Sequence, residues 1–91
     1  MSSDTSTPLQ NEYAEYIVTN LEFIKSKCGP LLENPLIRNL SDSVTCILKS
    51  LSYHKENGLD MSHCFESYSD VEQEFRSLSS IFENWEKRNN Q

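Results

Sequence analysis

The sequence predicts an all-α fold: an antiparallel, coiled-coil-like helical hairpin preceded by an additional helix, either closed as a three-helix bundle or left as an extended hairpin. Three observations predict it. Apolar residues recur at alternating steps of three and four, the spacing that gathers side chains on one face of an α-helix. The interruptions of that rhythm, Cys28-Gly29-Pro30 and Asn57-Gly58, are helix stops. No segment carries a convincing strand pattern.

Residues 1–8 are polar and rich in Ser and Thr, with nothing to bury, so they are expected to form a disordered tail. The first helix is predicted over 9–28. Tyr13, Ile17, Leu21, Ile24 and Cys28 share one face, flanked by Tyr16 and Val18, with Phe23 further round. Glu12 and Glu15 near its start and Lys25 and Lys27 near its end match the helix dipole. Gly29 then suits a left-handed C′ position, and Pro30 cannot continue the helix.

The second helix is predicted over 35–57. Asn34 is a good N-cap and Pro35 a good first residue. Ile37, Leu40, Val44, Ile47, Leu51 and His54 form its stripe, and Asn57-Gly58 ends it. The third helix is predicted over 60–87, with Asp60 as cap and a stripe at Met61, Cys64, Tyr68, Val71, Phe75, Leu78, Phe82 and Trp85. Ser69–Glu72 matches a capping box and offers an alternative, a kink at Ser69. The apolar phase is unbroken across Ser69, which favours a continuous helix. So short a link at Gly58 makes the second and third helices antiparallel neighbours. One helical domain over 9–88 and a tail over 89–91 complete the organisation.

The chain has 91 residues, of which only 36% are hydrophobic, so any single core is marginal and partner binding is one way to supplement it. The net charge is −6, and the eight Lys and Arg are scattered. Phosphate-backbone binding needs clustered cations, so direct nucleic-acid binding is not expected. No apolar run reaches the roughly 18–20 residues of a membrane span. The first residues lack the charged and apolar regions of a secretory signal. The expected location is intracellular, nuclear or cytoplasmic, where Cys28, Cys46 and Cys64 stay reduced.

The chemistry-bearing residues do not assemble into a recognisable motif. His63–Cys64, Cys46 and His54 offer no C-x-x-C or H-x-x-x-H pair, and zinc needs four convergent ligands. A nucleophile needs an oriented base and oxyanion donors, and the chain has only two glycines with which to build an elbow or a phosphate loop. No cofactor, no metal and no enzymatic activity are expected.

The acids are more informative. Asp60 to Glu86 holds seven acids and one base, Arg76, and Glu66, Asp70 and Glu74 share a face. They form either a solvated face or a docking stripe for a basic partner. Phe75, Leu78, Phe82 and Trp85 are the candidate partner interface, because aromatic anchors recur at interface hot spots. The expected role is a non-enzymatic structural subunit of a multi-protein helical assembly, with other helical proteins as partners in a hetero-oligomer. The alternative is a self-contained acidic three-helix adaptor for a basic peptide or protein.

The stretch LIRNLSDSVTCILKSLSYHKENGL, followed by DVEQEFRSLSSIFENW, resembles the small subunits of the fungal DASH outer-kinetochore complex. In that family a short helical hairpin closes on Glu-Phe, an aliphatic residue and two spaced aromatics, matched here by Glu74–Phe75, Leu78, Phe82 and Trp85. The resemblance covers about Leu36 to Trp85 and rests mainly on apolar spacing. The helix before Gly29 and the segment Met61–Ser69 are additions to the family pattern. The resemblance implies a non-enzymatic role in a heteromeric complex that couples chromosomes to spindle microtubules.

Overall fold

A computed structural model describes residues 7–89. Residues 1–6 and 90–91, where most of the two expected tails fall, lie outside the described residues. Four helices follow in order: α1 (Pro8–Cys28), α2 (Pro35–Glu56), α3 (Ser62–Ser77) and α4 (Ser79–Asn89). The chain is all-α, as the spacing predicts. Of the two arrangements left open by the sequence, α1 folds back on the hairpin to make a three-helix bundle, 55 × 21 × 19 Å in extent.

The helix starts follow from local chemistry. Thr7 Oγ1 accepts the Gln10 N–H at 3.1 Å, and Pro8 occupies the first turn, one residue ahead of the expected start. Asn34 Oδ1 accepts the Leu36 N–H at 2.9 Å ahead of Pro35, the cap read from the sequence. Asp60 does not take the expected cap position: α3 begins at Ser62 with Met61 as its N-cap residue, and Asp60, one residue earlier, accepts from the Ser62 N–H and the Ser62 hydroxyl.

The two glycine stops differ. After α2, Gly58 adopts φ 65°, alone among the described non-helical turns in having positive φ. The Gly58 N–H bonds to Lys55 O and the Leu59 N–H to His54 O, which is a Schellman motif. Gly29 does not take the expected left-handed conformation. Its φ is −47° and its ψ −51°, and the chain turns right-handed through a 3-10 turn, Gly29–Leu31. A right-handed residue ahead of proline crowds the proline ring against its own Cβ, and glycine has none. Gly29 therefore serves the pre-proline position rather than a positive φ.

The third predicted helix is divided, and at Leu78 rather than Ser69. Ser77 Oγ donates to the Glu74 carbonyl at 2.8 Å, so a hydroxyl competes for a helix acceptor. The Leu78 N–H is shared between Glu74 O and Phe75 O, and Ile81 bonds back three residues to Leu78 O. These tightened bonds mark the joint between α3 and α4. Ser69 lies inside regular α3, so its capping-box pattern is not used.

The core takes Ala14, Ile17, Leu21, Ile24 and Cys28 from α1, and Ile37, Leu40, Val44, Ile47 and Leu51 from α2. Met61, Cys64, Tyr68, Val71 and Phe82 close it from the third strip. Tyr13 yields its expected place to Ala14, and His54, Phe75, Leu78 and Trp85 of the expected stripes are only half-buried. Helix directions are set by paired ends. Gln10 Nε2 donates to Asp60 Oδ1 at 2.6 Å while Gln10 Oε1 accepts the Met61 N–H at 3.2 Å, so α1 and α3 start together. Hydrogen bonds from Gln10 and then Ser62 hold the Asp60 carboxyl below its ordinary value. At the other end Lys27 pairs with Glu86 of α4 at 2.5 Å.

Replacement of Gly58 with alanine is expected to lower stability by about 1–2 kcal/mol, because a Cβ is penalised at positive φ. A downward shift in the thermal midpoint of the variant, with helix content by circular dichroism retained, checks it.

Candidate partner interface

The four residues singled out at the C-terminal end of the hairpin fall in different environments. Phe82 is buried in the core at 6% exposure. Phe75 and Leu78 are half-buried against that core, and Trp85 is half-buried on α4. The Phe75 ring lies 5.1 Å from Phe82, tilted by 56°, and 6.4 Å from Phe23 of α1 in an edge-to-face arrangement. The structure thus brings Phe75 and Phe82 together, with Phe82 beneath and Phe75 at the rim.

The larger apolar surface is on α1. Leu9, Tyr13, Tyr16 and Phe23 are 76%, 44%, 59% and 55% exposed. They belong to a second stripe, Leu9–Tyr13–Tyr16–Asn20–Phe23–Lys27, at steps of four, three, four, three and four. It lies one residue round the helix from the buried stripe. That repeat was the available signal, and it was hidden because Tyr13 also fits the core spacing. Tyr13 and Tyr16 stack with ring centres 6.0 Å apart, and Phe65 of α3 meets Tyr13 edge-to-face at 4.8 Å.

Between this stripe and α3 runs an open groove of about 290 Å³, walled by Tyr16, Asn20, Phe23 and Ile24 on one side and Tyr68, Glu72, Phe75 and Arg76 on the other. A polar chain crosses its floor. Asn20 Nδ2 donates to Tyr68 Oη at 3.0 Å, the Glu72 carboxylate lies on the same side of α3 one turn on from Tyr68, and Arg76 pairs with Glu72 at 2.5 Å. Burial, and next the nearby Glu72 carboxylate, push the Tyr68 phenol up to about 12. The groove is therefore aromatic at its walls, with its one carboxylate already engaged.

The acidic stripe faces the opposite flank of α3. Asp70 and Glu74 share a shallow groove with Asp42 and Cys46 of α2 over an apolar floor of Ile47 and Val71. Glu66 is exposed one turn earlier. Among the described residues, the ion pairs are Lys27–Glu86, Lys55–Glu15 and Arg76–Glu72, and none involves these four acids.

Near the hairpin turn, Ser50 Oγ lies 3.2 Å from Cys64 Sγ, and the His54 and His63 rings meet edge-to-face at 5.3 Å. His54 Nδ1 donates to the Ser50 carbonyl at 2.7 Å, so that nitrogen is not turned toward the thiol as a base. Burial pushes the Cys28 thiol up, which disfavours the thiolate there. Among the described residues no group of three His, Cys, Asp or Glu side chains is placed to hold a metal ion. No helix among the described residues is long and apolar enough to cross a membrane.

No family model, no curated protein and no solved structure matches the chain.

Truncation of Phe82 to alanine is expected to cost about 3 kcal/mol, as for other buried phenylalanines, whereas Tyr16→Ala should cost under about 1 kcal/mol. Urea unfolding of the two variants measures the difference. The Tyr68 phenol gives a pH signature. The unfolded chain loses this proton near 10.0 and the folded chain only near 12, so stability falls as pH rises through that window. Tyr68→Phe should flatten the fall, which unfolding midpoints measured across the window will report.

Proposed function

We propose that this chain is a non-enzymatic interaction subunit of a helical assembly, one that folds around its own three-helix core and offers a flank of α1 to its partner. The observation that carries the reading is that α1 bears two adjacent stripes of coiled-coil spacing while the bundle covers one of them. A row of Leu9, Tyr13, Tyr16 and Phe23 at 44–76% exposure is a large apolar patch for so small a chain. Tyrosine and phenylalanine supply contact area at low conformational cost, which is why they recur at interfaces.

The kinetochore–microtubule interface is one setting for such a subunit, on the strength of the DASH-like resemblance of Leu36 to Trp85. A nuclear or cytoplasmic location accords with it. In that setting the half-buried Phe75, Leu78 and Trp85 extend the α1 patch around the end of the bundle.

A second reading is favoured by a separate observation, the groove edged by Asp42, Asp70 and Glu74, which have no paired cation among the described residues. Under it the chain is an acidic adaptor for a basic peptide, and recognition is electrostatic. The two are separated by which face the partner needs, the exposed rings of α1 or the acids of the α2–α3 groove.

Replacing both Tyr16 and Phe23 with alanine is expected to abolish partner capture from cell extract while leaving the thermal midpoint within a few degrees of the unmodified chain. Asp70→Asn with Glu74→Gln should leave capture in place. Loss of capture in the acidic pair alone would favour the adaptor reading instead.

A further inference from the structure

We propose that the groove between α1 and α3 is the seat of a fourth helix, supplied by a partner chain as a cationic amphipathic helix that completes a four-helix bundle. The inference rests on the interaction-subunit reading above and goes further by naming the position, the geometry and the chemistry of the occupant.

The geometry points to a helix rather than a strand or an extended peptide. The stripe Leu9–Tyr13–Tyr16–Asn20–Phe23–Lys27 repeats in the rhythm of a helical ridge, and helices dock by laying such ridges into matching grooves. The groove follows α1 from Tyr16 to Ile24, about two and a half turns, closing on the Phe23–Phe75 contact, and the Tyr13–Phe65 contact continues the aromatic surface one turn beyond its other end. An extended strand would need an open sheet edge for its backbone, and the described residues form no sheet. The Asn20–Tyr68 hydrogen bond sits midway along the groove, where one polar contact in an aromatic surface fixes the register of an incoming helix.

Charge selects between a second copy of this chain and a different partner. Each copy carries −6, so pairing two copies through this face would bring like charges together. The cations at the rim are already engaged, Arg76 with Glu72 and Lys27 with Glu86. Glu12, on the same edge of α1 as Tyr16, has no ion pair among the described residues. The ring faces add a further preference for cations: the Lys27 ammonium already lies 5.5 Å from the Phe23 ring centre. A helix with an apolar ridge and Lys or Arg on the shoulder that lies beside Glu12 meets all of these terms. An acidic helix meets the apolar term alone.

The test uses the full chain and two synthetic helices of about 21 residues, a length that spans α1. Both carry the same Leu and Phe ridge at alternating steps of three and four. One has Lys and Arg on that shoulder, the other Glu. Binding is followed by calorimetry, and amide and aromatic NMR shifts locate the site. The cationic helix is expected to bind at least about tenfold more tightly than the acidic one. Its shifts should cluster at Tyr13, Tyr16, Phe23, Phe65 and Phe75. Tyr16→Ala with Phe23→Ala should weaken it by about tenfold or more, and Asp70→Asn with Glu74→Gln by less than about threefold. Both double variants alter exposed side chains, and their thermal melts verify that they remain folded. The proposal is overturned if neither helix binds, if both bind equally, or if the shifts map to Asp42, Asp70 and Glu74. It is equally overturned if sedimentation shows the chain pairing with itself through this face. In each of those cases the interaction-subunit reading stands or falls separately, on whether the Tyr16 and Phe23 pair governs partner capture.

Discussion

A helix can turn only one stripe toward a given core, and α1 carries two. The hairpin of α2 with α3 and α4 offers one furrow, and two registers of α1 could fill it. Burying the stripe that begins at Ala14 places a small side chain where the helices approach, whereas burying the one that begins at Tyr13 would insert three aromatic rings. Interiors packed to crystalline density do not accept that volume without rearrangement. The smaller stripe goes in and the aromatic one is left outside. The placement of Phe65 and Phe75 beside it, the open groove and the exposed rings all descend from that choice.

Much of the architecture was legible because the signals were redundant. The spacing on α2 and its Asn34–Pro35 entry agree with each other, and the Gly58 exit agrees with both. Where the sequence supported two answers, local chemistry too fine for periodicity decided. Tyr13 and Ala14 both fit the α1 core spacing, and only volume separates them. Ser69 and Ser77 both sit in serine-containing acidic stretches, but it is the Ser77 hydroxyl that takes a helix carbonyl. Gly29 reads as a left-handed stop until the following proline is counted. The Gln10 clamp on Asp60 and Met61 joins residues some fifty positions apart, and nothing local to either end announces it.

The environments of the candidate interface residues were legible only in part. The aromatic end of the third stripe, Phe75 to Trp85, reads as an interface because aromatic anchors recur at interface hot spots. The structure divides it, taking Phe82 into the core and leaving Phe75, Leu78 and Trp85 at the rim. The acids behaved differently. Glu66, Asp70 and Glu74 were placed on one face by their spacing alone, and the structure adds Asp42 from across the α2–α3 furrow. Charges reach solvent whichever way a bundle packs, so their faces are read more easily than those of rings that could go either way.

The joint at Leu78 acquires a mechanical meaning from α1, which runs past it without interruption. Phe23 touches Phe75 just before the joint, and Lys27 holds Glu86 well beyond it. α1 thus spans the joint: a swing of α4 about Leu78 would break the Lys27–Glu86 pair and draw Phe82 out of the core, while Phe23 stays packed on α3.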